Sequence, residues 1–164
     1  MSVSIRPIAS ADETAIRTLL GRIAIFEPHE IRVAEELVAE SLAGSPDYVI
    51  HVAEDSDRPA DGGAARVVGY VCYGHNPVTD ALHDLYWIAV DPAMQGRGVG
   101  RALLAHAEQR VREAGGRGVV IDTSSRLEYA PARALYERSG YRRVADIADY
   151  YKPGDALFIY MKQV

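Results

Sequence analysis

The residues with the clearest capacity for chemistry run Gln95-Gly96-Arg97-Gly98-Val99-Gly100, with three glycines at alternate positions. An apolar run, Leu82–Val90, precedes them, and a helical pattern follows. Glycine lets a backbone adopt positive φ and approach a ligand closely. A helix start exposes unpaired N–H groups and the positive end of the helix dipole. Together these make an anion site suited to a pyrophosphate. Two familiar phosphate loops are excluded. No Gly-Lys-Ser/Thr is present for a Walker A loop. The dinucleotide fingerprint needs a third glycine three residues after the second, and that position is Arg101.

Stepping outward, Leu82–Val90 reads as a central strand, stopped by Asp91-Pro92. Val99, Leu103, Ala107 and Val111 recur at spacing four and predict an amphipathic helix ending at Gly115-Gly116. Upstream, residues 3–8 predict a short strand. A helix follows from Asp12 with Ala15, Ile16, Leu19, Leu20 and Ile23 at helical spacing, and Phe26–His29 breaks it. Ile31, Ala34, Leu37, Val38 and Leu42 mark a second helix. Two strands, Tyr48–Ala53 and Arg66–Tyr73, flank Asp55–Ala65, whose Asp, Pro and Gly content predicts a mobile hairpin loop. Downstream come a strand at Val119–Asp122, a helix at Ala130–Ser139 starting near Tyr129 or Ala130 with Pro131 in its first turn, and strands at 141–147 and 156–162 around a Pro153-Gly154-Asp155 turn. The expected order is β-α-α-β-β-β-α-β-α-β-β, a mixed sheet with helices against it.

With 164 residues the chain is expected to form a single domain over 1–164. Apolar residues are 48% and charged residues 25%, as in ordinary globular proteins. The net charge of -5 argues against nucleic-acid or anionic-membrane partners, which call for basic surfaces. The lone Cys72 lies in an apolar run and reads as a buried strand residue, so no intrachain disulfide is expected. The N-terminus lacks the long apolar run of a signal peptide, and no stretch reaches the ~20 apolar residues of a membrane span. The expectation is therefore a cytoplasmic protein. His29, His51, His75 and His106 show no metal-ligand spacing, and no metal is expected.

QGRGVG resembles the Gln/Arg-x-x-Gly-x-Gly/Ala motif of the GNAT (Gcn5-related N-acetyltransferase) superfamily, which places it after a fourth strand and at the start of a third helix. Ala134-Leu135-Tyr136-Glu137-Arg138-Ser139-Gly140-Tyr141 resembles the family's A-x-x-L-Y-x-x-x-G-[FY] region, and Ile5-Arg6-Pro7 with Asp12 is similar to its openings. The resemblance implies an α/β (mixed α+β) GNAT fold: a central mixed, mostly antiparallel twisted sheet of about seven strands with four helices, splayed between strands 4 and 5. It implies acetyl-CoA as cosubstrate and a primary amine of a small molecule or peptide as acceptor, attacked directly in a ternary complex. A homodimer is possible, since relatives often dimerise. The alternative is a non-catalytic acyl-CoA binding or sensing module. One departure stands out: Tyr129 occupies the place where many members carry an Asn that contacts the cofactor.

On the same resemblance, the backbone of Ile88, Ala89 and Val90 binds the pantetheine arm, with the Val90 N–H as oxyanion donor. The backbone of Gln95, Gly96, Arg97, Gly98, Val99, Gly100 and Arg101 holds the pyrophosphate, and the two arginines add charge there. Tyr136 matches the family's general acid, with a core aromatic as the other reading. Asp84 lies six residues before Val90, where several members hold a carboxylate base. His83 competes through its ordinary pKa near ~6.5. Period two puts Asp84, Tyr86, Ile88 and Val90 on one face of the strand, and His83, Leu85, Trp87 and Ala89 on the other.

Overall fold

The computed structural model describes residues 3–59 and 65–164. Seven strands and four helices follow in the expected order: β1 Val3–Pro7, α1 Glu13–Arg22, α2 Pro28–Leu42, β2 Val49–Pro59, β3 Ala65–His75, β4 Leu82–Val90, α3 Val99–Glu113, β5 Gly118–Ser124, α4 Ala130–Arg138, β6 Arg142–Lys152 and β7 Asp155–Gln163. The sheet order is β1-β2-β3-β4-β5-β7-β6. β4 and β5 run parallel, while β1–β2, β2–β3, β5–β7 and β6–β7 are antiparallel. The mixed α/β class is as expected.

The chain divides into two compact units. The first contains the chain up to Gly74 and Trp87–Ala107. Its α1 buries Ile16, Leu19 and Leu20, one stripe at helical spacing. From Val67 to Gly74 β3 is buried on both faces, which explains its unbroken apolar run. Cys72 is fully buried there, and burial pushes its thiol up to about 12. Asp12, the residue before α1, closes the short 3-10 turn Ser10–Asp12: its carboxylate accepts the Ala9 N–H at 2.8 Å and two Arg6 N–H bonds at 2.7 and 2.8 Å. Arg6 also donates to Glu54 on β2.

In that unit β2 and β3 are longer than the sequence suggested. Asp55–Pro59 belongs to β2 and Ala65 opens β3, so these parts of the expected loop are strand; residues 60–64 lie outside the described ones. The cause is pairing on both sides. Asp55 stands opposite Val3 and Arg66, and register shifts after Ala53 and Asp55 absorb the polar stretch.

The second unit contains His75–Tyr86 and the chain from Glu108. Its β4–β5 ladder runs from Leu82↔Gly118 to Leu85↔Ile121. Both helix ends in this unit use a glycine at positive φ. Gly115 (φ 80°) follows α3, with the Gly116 N–H reaching Val111 O at 2.8 Å. Gly140 (φ 90°) follows α4, with the Tyr141 N–H reaching Tyr136 O at 3.0 Å. α4 starts at Ala130 with Tyr129 as N-cap and Pro131 in the first turn, as the sequence implied. The final turn is tighter than expected. Asp155 belongs to β7, where its carboxylate is buried and accepts the Ser124 hydroxyl at 2.6 Å.

Candidate active site

The glycine loop in the first unit begins where β4 ends. Asp91 is only 3% exposed. Its Oδ1 accepts the Ala93 N–H at 2.9 Å, capping a single 3-10 turn at Pro92–Met94, and its own N–H donates to Val68 O on β3 at 2.9 Å. Its Oδ2 takes Arg22 from the end of α1 at 3.0 Å and Arg66 from β3 at 2.5 Å. Burial opposes the charge, but the Ala93 N–H and both guanidiniums outweigh it and hold the carboxyl below its ordinary value. The loop is thus anchored at its entrance by Asp91, whose carboxylate holds Ala93, Arg22 and Arg66 and whose backbone N–H holds Val68.

Past this anchor, Gln95, Gly96, Arg97 and Gly98 are exposed, and Arg101 is exposed on the first turn of α3. Gly96 has φ 73° and Gly98 φ 84°, and a Cβ at either would meet nothing within 4 Å. Glycine is therefore required by the backbone angle and not by crowding. The first α3 bond runs from Ala102 N to Gly98 O at 2.9 Å, so the N–H groups of Val99, Gly100 and Arg101 precede the first intrahelical bond. Val99 and Leu103 are buried and pin the helix start. On β4, Ala89 is buried while Ile88 and Val90 are half-buried. Gly69 of β3 comes so close that a Cβ there would lie 2.8 Å from Ala89 O. Phe26, in the segment between α1 and α2, packs its ring 5.1 Å from that of Trp87.

The second unit holds the titratable candidates. Tyr136 on α4 is 5% exposed, with its ring 5.9 Å from Tyr160 and 6.2 Å from Tyr141. Burial, followed by Tyr160, drives its phenol well above the ordinary tyrosine value, so at neutral pH it keeps its proton. Asp84 is half-buried on β4, and burial pushes its carboxyl up against the opposing effects of an Asn76 hydrogen bond and His83. His83 is buried, with its ring 5.4 Å from His75. Its Nδ1 and Cε1 sit 2.9 Å from where a Gly116 Cβ would lie. Burial and then His75 lower its pKa. The two base candidates thus have different surroundings: His83 packs against Gly116, and Asp84 meets Asn76.

Two features carry little or no signal in the sequence. Asp91 reads there as a strand stop, although an Asp immediately before Pro is also a cap signal. Asp122 on β5, whose carboxyl is raised by burial and by Asp84, showed no local motif. At the place where many GNAT members carry Asn, the Tyr129 ring lies 5.2 Å from the Arg126 guanidinium carbon. Among the described residues no group of three or more His, Cys, Asp and Glu is placed to hold a metal, and no helix is long and apolar enough to cross a membrane.

The chain is similar to several proteins. A family model described as an acetyltransferase (GNAT) domain matches residues 46–143. A putative GNAT acetyltransferase from Desulfovibrio desulfuricans is 37% identical with TM-score 0.89, covering 99% of each chain. A putative acetyltransferase from Salmonella typhimurium, solved with acetyl-CoA, is 21% identical with TM-score 0.72, over 99% of this chain and 94% of that one. The N-alpha-acetyltransferase RimI of Mycobacterium tuberculosis is 38% identical over 45% of this chain and 44% of its own length. The chain spans less than half the length of the first curated relatives it matches. With the family model covering more than half of its residues and the Desulfovibrio protein aligned almost end to end, the chain belongs to the GNAT acetyltransferase family.

Proposed function

We propose that this protein transfers the acetyl group of acetyl-CoA to a primary amine of a small molecule or peptide, by direct attack of the amine on the thioester. The observation that carries this reading is the loop at the start of α3, with Gly96 and Gly98 at positive φ in a GNAT-family chain. The acetyl-CoA in the Salmonella relative supports the choice of cosubstrate. The N-alpha-acetyltransferase among the relatives supports an amine acceptor.

In this reading the N–H groups of Gln95–Arg101 take the pyrophosphate, with Arg97 and Arg101 adding positive charge. The backbone of Ile88, Ala89 and Val90 takes the pantetheine arm as an added strand, and the Val90 N–H stabilises the oxyanion of the tetrahedral intermediate. Asp84 accepts a proton from the acceptor ammonium, and its raised pKa suits that task. The amine attacks the thioester carbonyl, the C–N bond forms and the C–S bond breaks. Tyr136, held protonated by burial, donates its proton to the departing thiolate. The second proton lost by the nitrogen restores the phenol. Net, one proton leaves to solvent for each amide formed.

Calorimetry with acetyl-CoA followed by a transfer assay over an amine panel tests this. The expected result is micromolar binding and turnover of at least one amine. Tyr136→Phe should lower kcat by about 10²-fold or more while leaving acetyl-CoA affinity unchanged. Binding without transfer to any amine would instead support an acyl-CoA sensing module. Undiminished kcat in Tyr136→Phe would remove the phenol from the mechanism.

A further inference from the structure

The parallel ladder sets Asp84 of β4 opposite Val120 of β5. Asp122 follows two residues along β5, so Asp84, Val120 and Asp122 share one face of the sheet. Strand spacing of ~4.8 Å and a two-residue rise of ~6.6 Å put the two aspartate Cα atoms about 8 Å apart. Across that diagonal the Asp84 charge acts on Asp122 through space. The two differ in exposure: Asp84 is half-buried and Asp122 is the more exposed of the two, although partial burial still raises its carboxyl. Asn76 hydrogen-bonds Asp84 from the β3–β4 connection, which holds the inner carboxylate in place. The ladder ends one residue past Asp84, at Leu85↔Ile121.

An inner carboxylate beside an outer one is an arrangement that moves a proton outward. We infer that Asp122 is a positioning residue of the transfer reaction, taking on toward solvent the proton that Asp84 receives from the acceptor. This rests on the reading of Asp84 as base. The ammonium N–H bond breaks and its proton goes to the Asp84 carboxylate. It then passes to Asp122, and from Asp122 to water, leaving both carboxylates ionised for the next turnover. No other co-reactant is needed. The remaining groups of this unit that bear on the pair are few. His83 acts from Asp84's own strand. Asp122 stands opposite Ile159 on β7, which stands opposite Ala145 on β6, so its own row across those strands is apolar. Arg142, at the start of β6, pairs with Met161, which in turn pairs with Val120.

The test uses the full chain with 13C-labelled aspartate and a primary amine that the wild type acetylates. In Asp122→Asn the Asp84 carboxyl midpoint should fall by about 0.5–1.5 pH units, the range for two charges ~8 Å apart. At neutral pH, kcat should drop about tenfold, with the KM for acetyl-CoA unchanged. Asp122→Glu should restore both. Unchanged kcat in Asp122→Asn, or failure of Asp122→Glu to restore it, overturns the assignment whatever the midpoint does. Asp84→Asn separates the two readings. If that variant keeps full turnover, the base reading itself fails; if it loses turnover while Asp122→Asn does not, only the role of Asp122 fails.

Discussion

Gly69→Ala offers a sharp test of how the first unit shapes β4. The added Cβ would lie 2.8 Å from Ala89 O, 3.1 Å from Leu103 Cδ1 and 3.4 Å from Val99 Cγ1. An ordinary carbon–oxygen contact is about 3.3 Å or more, so roughly 0.5 Å must be relieved. The oxygen is backbone and cannot rotate away, and Leu103 and Val99 are buried. Overpacking of this kind costs about 1–3 kcal/mol. Alanine restricts the unfolded chain, which returns about 0.5–1 kcal/mol. The net expectation is a loss of about 1–2 kcal/mol in urea unfolding, together with weaker acetyl-CoA binding by calorimetry, because Ala89 lies within the proposed pantetheine segment. Gly21→Ala is the control. Gly21 is exposed in α1 with nothing within 4 Å of its would-be Cβ, so alanine should stabilise the protein by about 0.5–1 kcal/mol. If Gly69→Ala proves as stable as the wild type while Gly21→Ala gains stability, the tight contact is wrong.

Asp91→Ala should cost about 2–3 kcal/mol in urea unfolding. It removes a cap worth ~1 kcal/mol and two charge-assisted bonds, discounted because Arg22 and Arg66 keep much of their hydration. The Asp91 carboxyl is lowered in the folded state, so its contribution is full above the unfolded value near ~3.9 and is lost as pH falls through the folded one. A urea series from pH 7 to 3 should therefore show a shallower acid loss in Asp91→Asn than in wild type; identical slopes would contradict this. His83 works in the same direction by a different route. Its folded pKa is lowered, so stability is full above ~6.5 and falls as pH drops from there toward the folded value. His83→Gln should flatten that slope below about pH 6.5, and an unchanged slope would assign it to another group.

How much of this was legible in the sequence depended on whether a signal was local. The glycine loop, the α3 stripe and the Tyr129–Pro131 helix start each lie within a few residues, and all three stand where the spacing put them. The sequence ends β6 at 147 and the structure at Lys152, for a physical reason: all eleven of its residues are exposed, so the strand has no inward face to impose a period of two. The sequence ends β2 early because Asp55–Pro59 is polar, and only its pairing with β1 and β3 makes it a strand. The Asp91 anchor joins Arg22, 69 residues away, to Arg66, 25 away, and no window of sequence contains such a set.

The same contrast bears on where chemistry should be sought in this chain. Gly96 and Gly98 declare themselves because a backbone angle restricts residue type, and that restriction can be read from one sequence. Asp122 does not, because an aspartate on a strand is permitted almost anywhere on an open face. Its meaning comes only from the register that puts Val120 opposite Asp84 and Asp122 two residues beyond Val120. A one-residue slip of β5 would turn Asp122 to the opposite face, away from Asp84. Gly118 helps hold that register. A Cβ there would lie 3.0 Å from Leu82 Cδ2 on one side and 3.1 Å from Lys162 O on the other, so a side chain at the first residue of β5 would make its neighbours give by a few tenths of an ångström. The register behind the proposed proton path is thus eased by a glycine that carries no chemistry of its own.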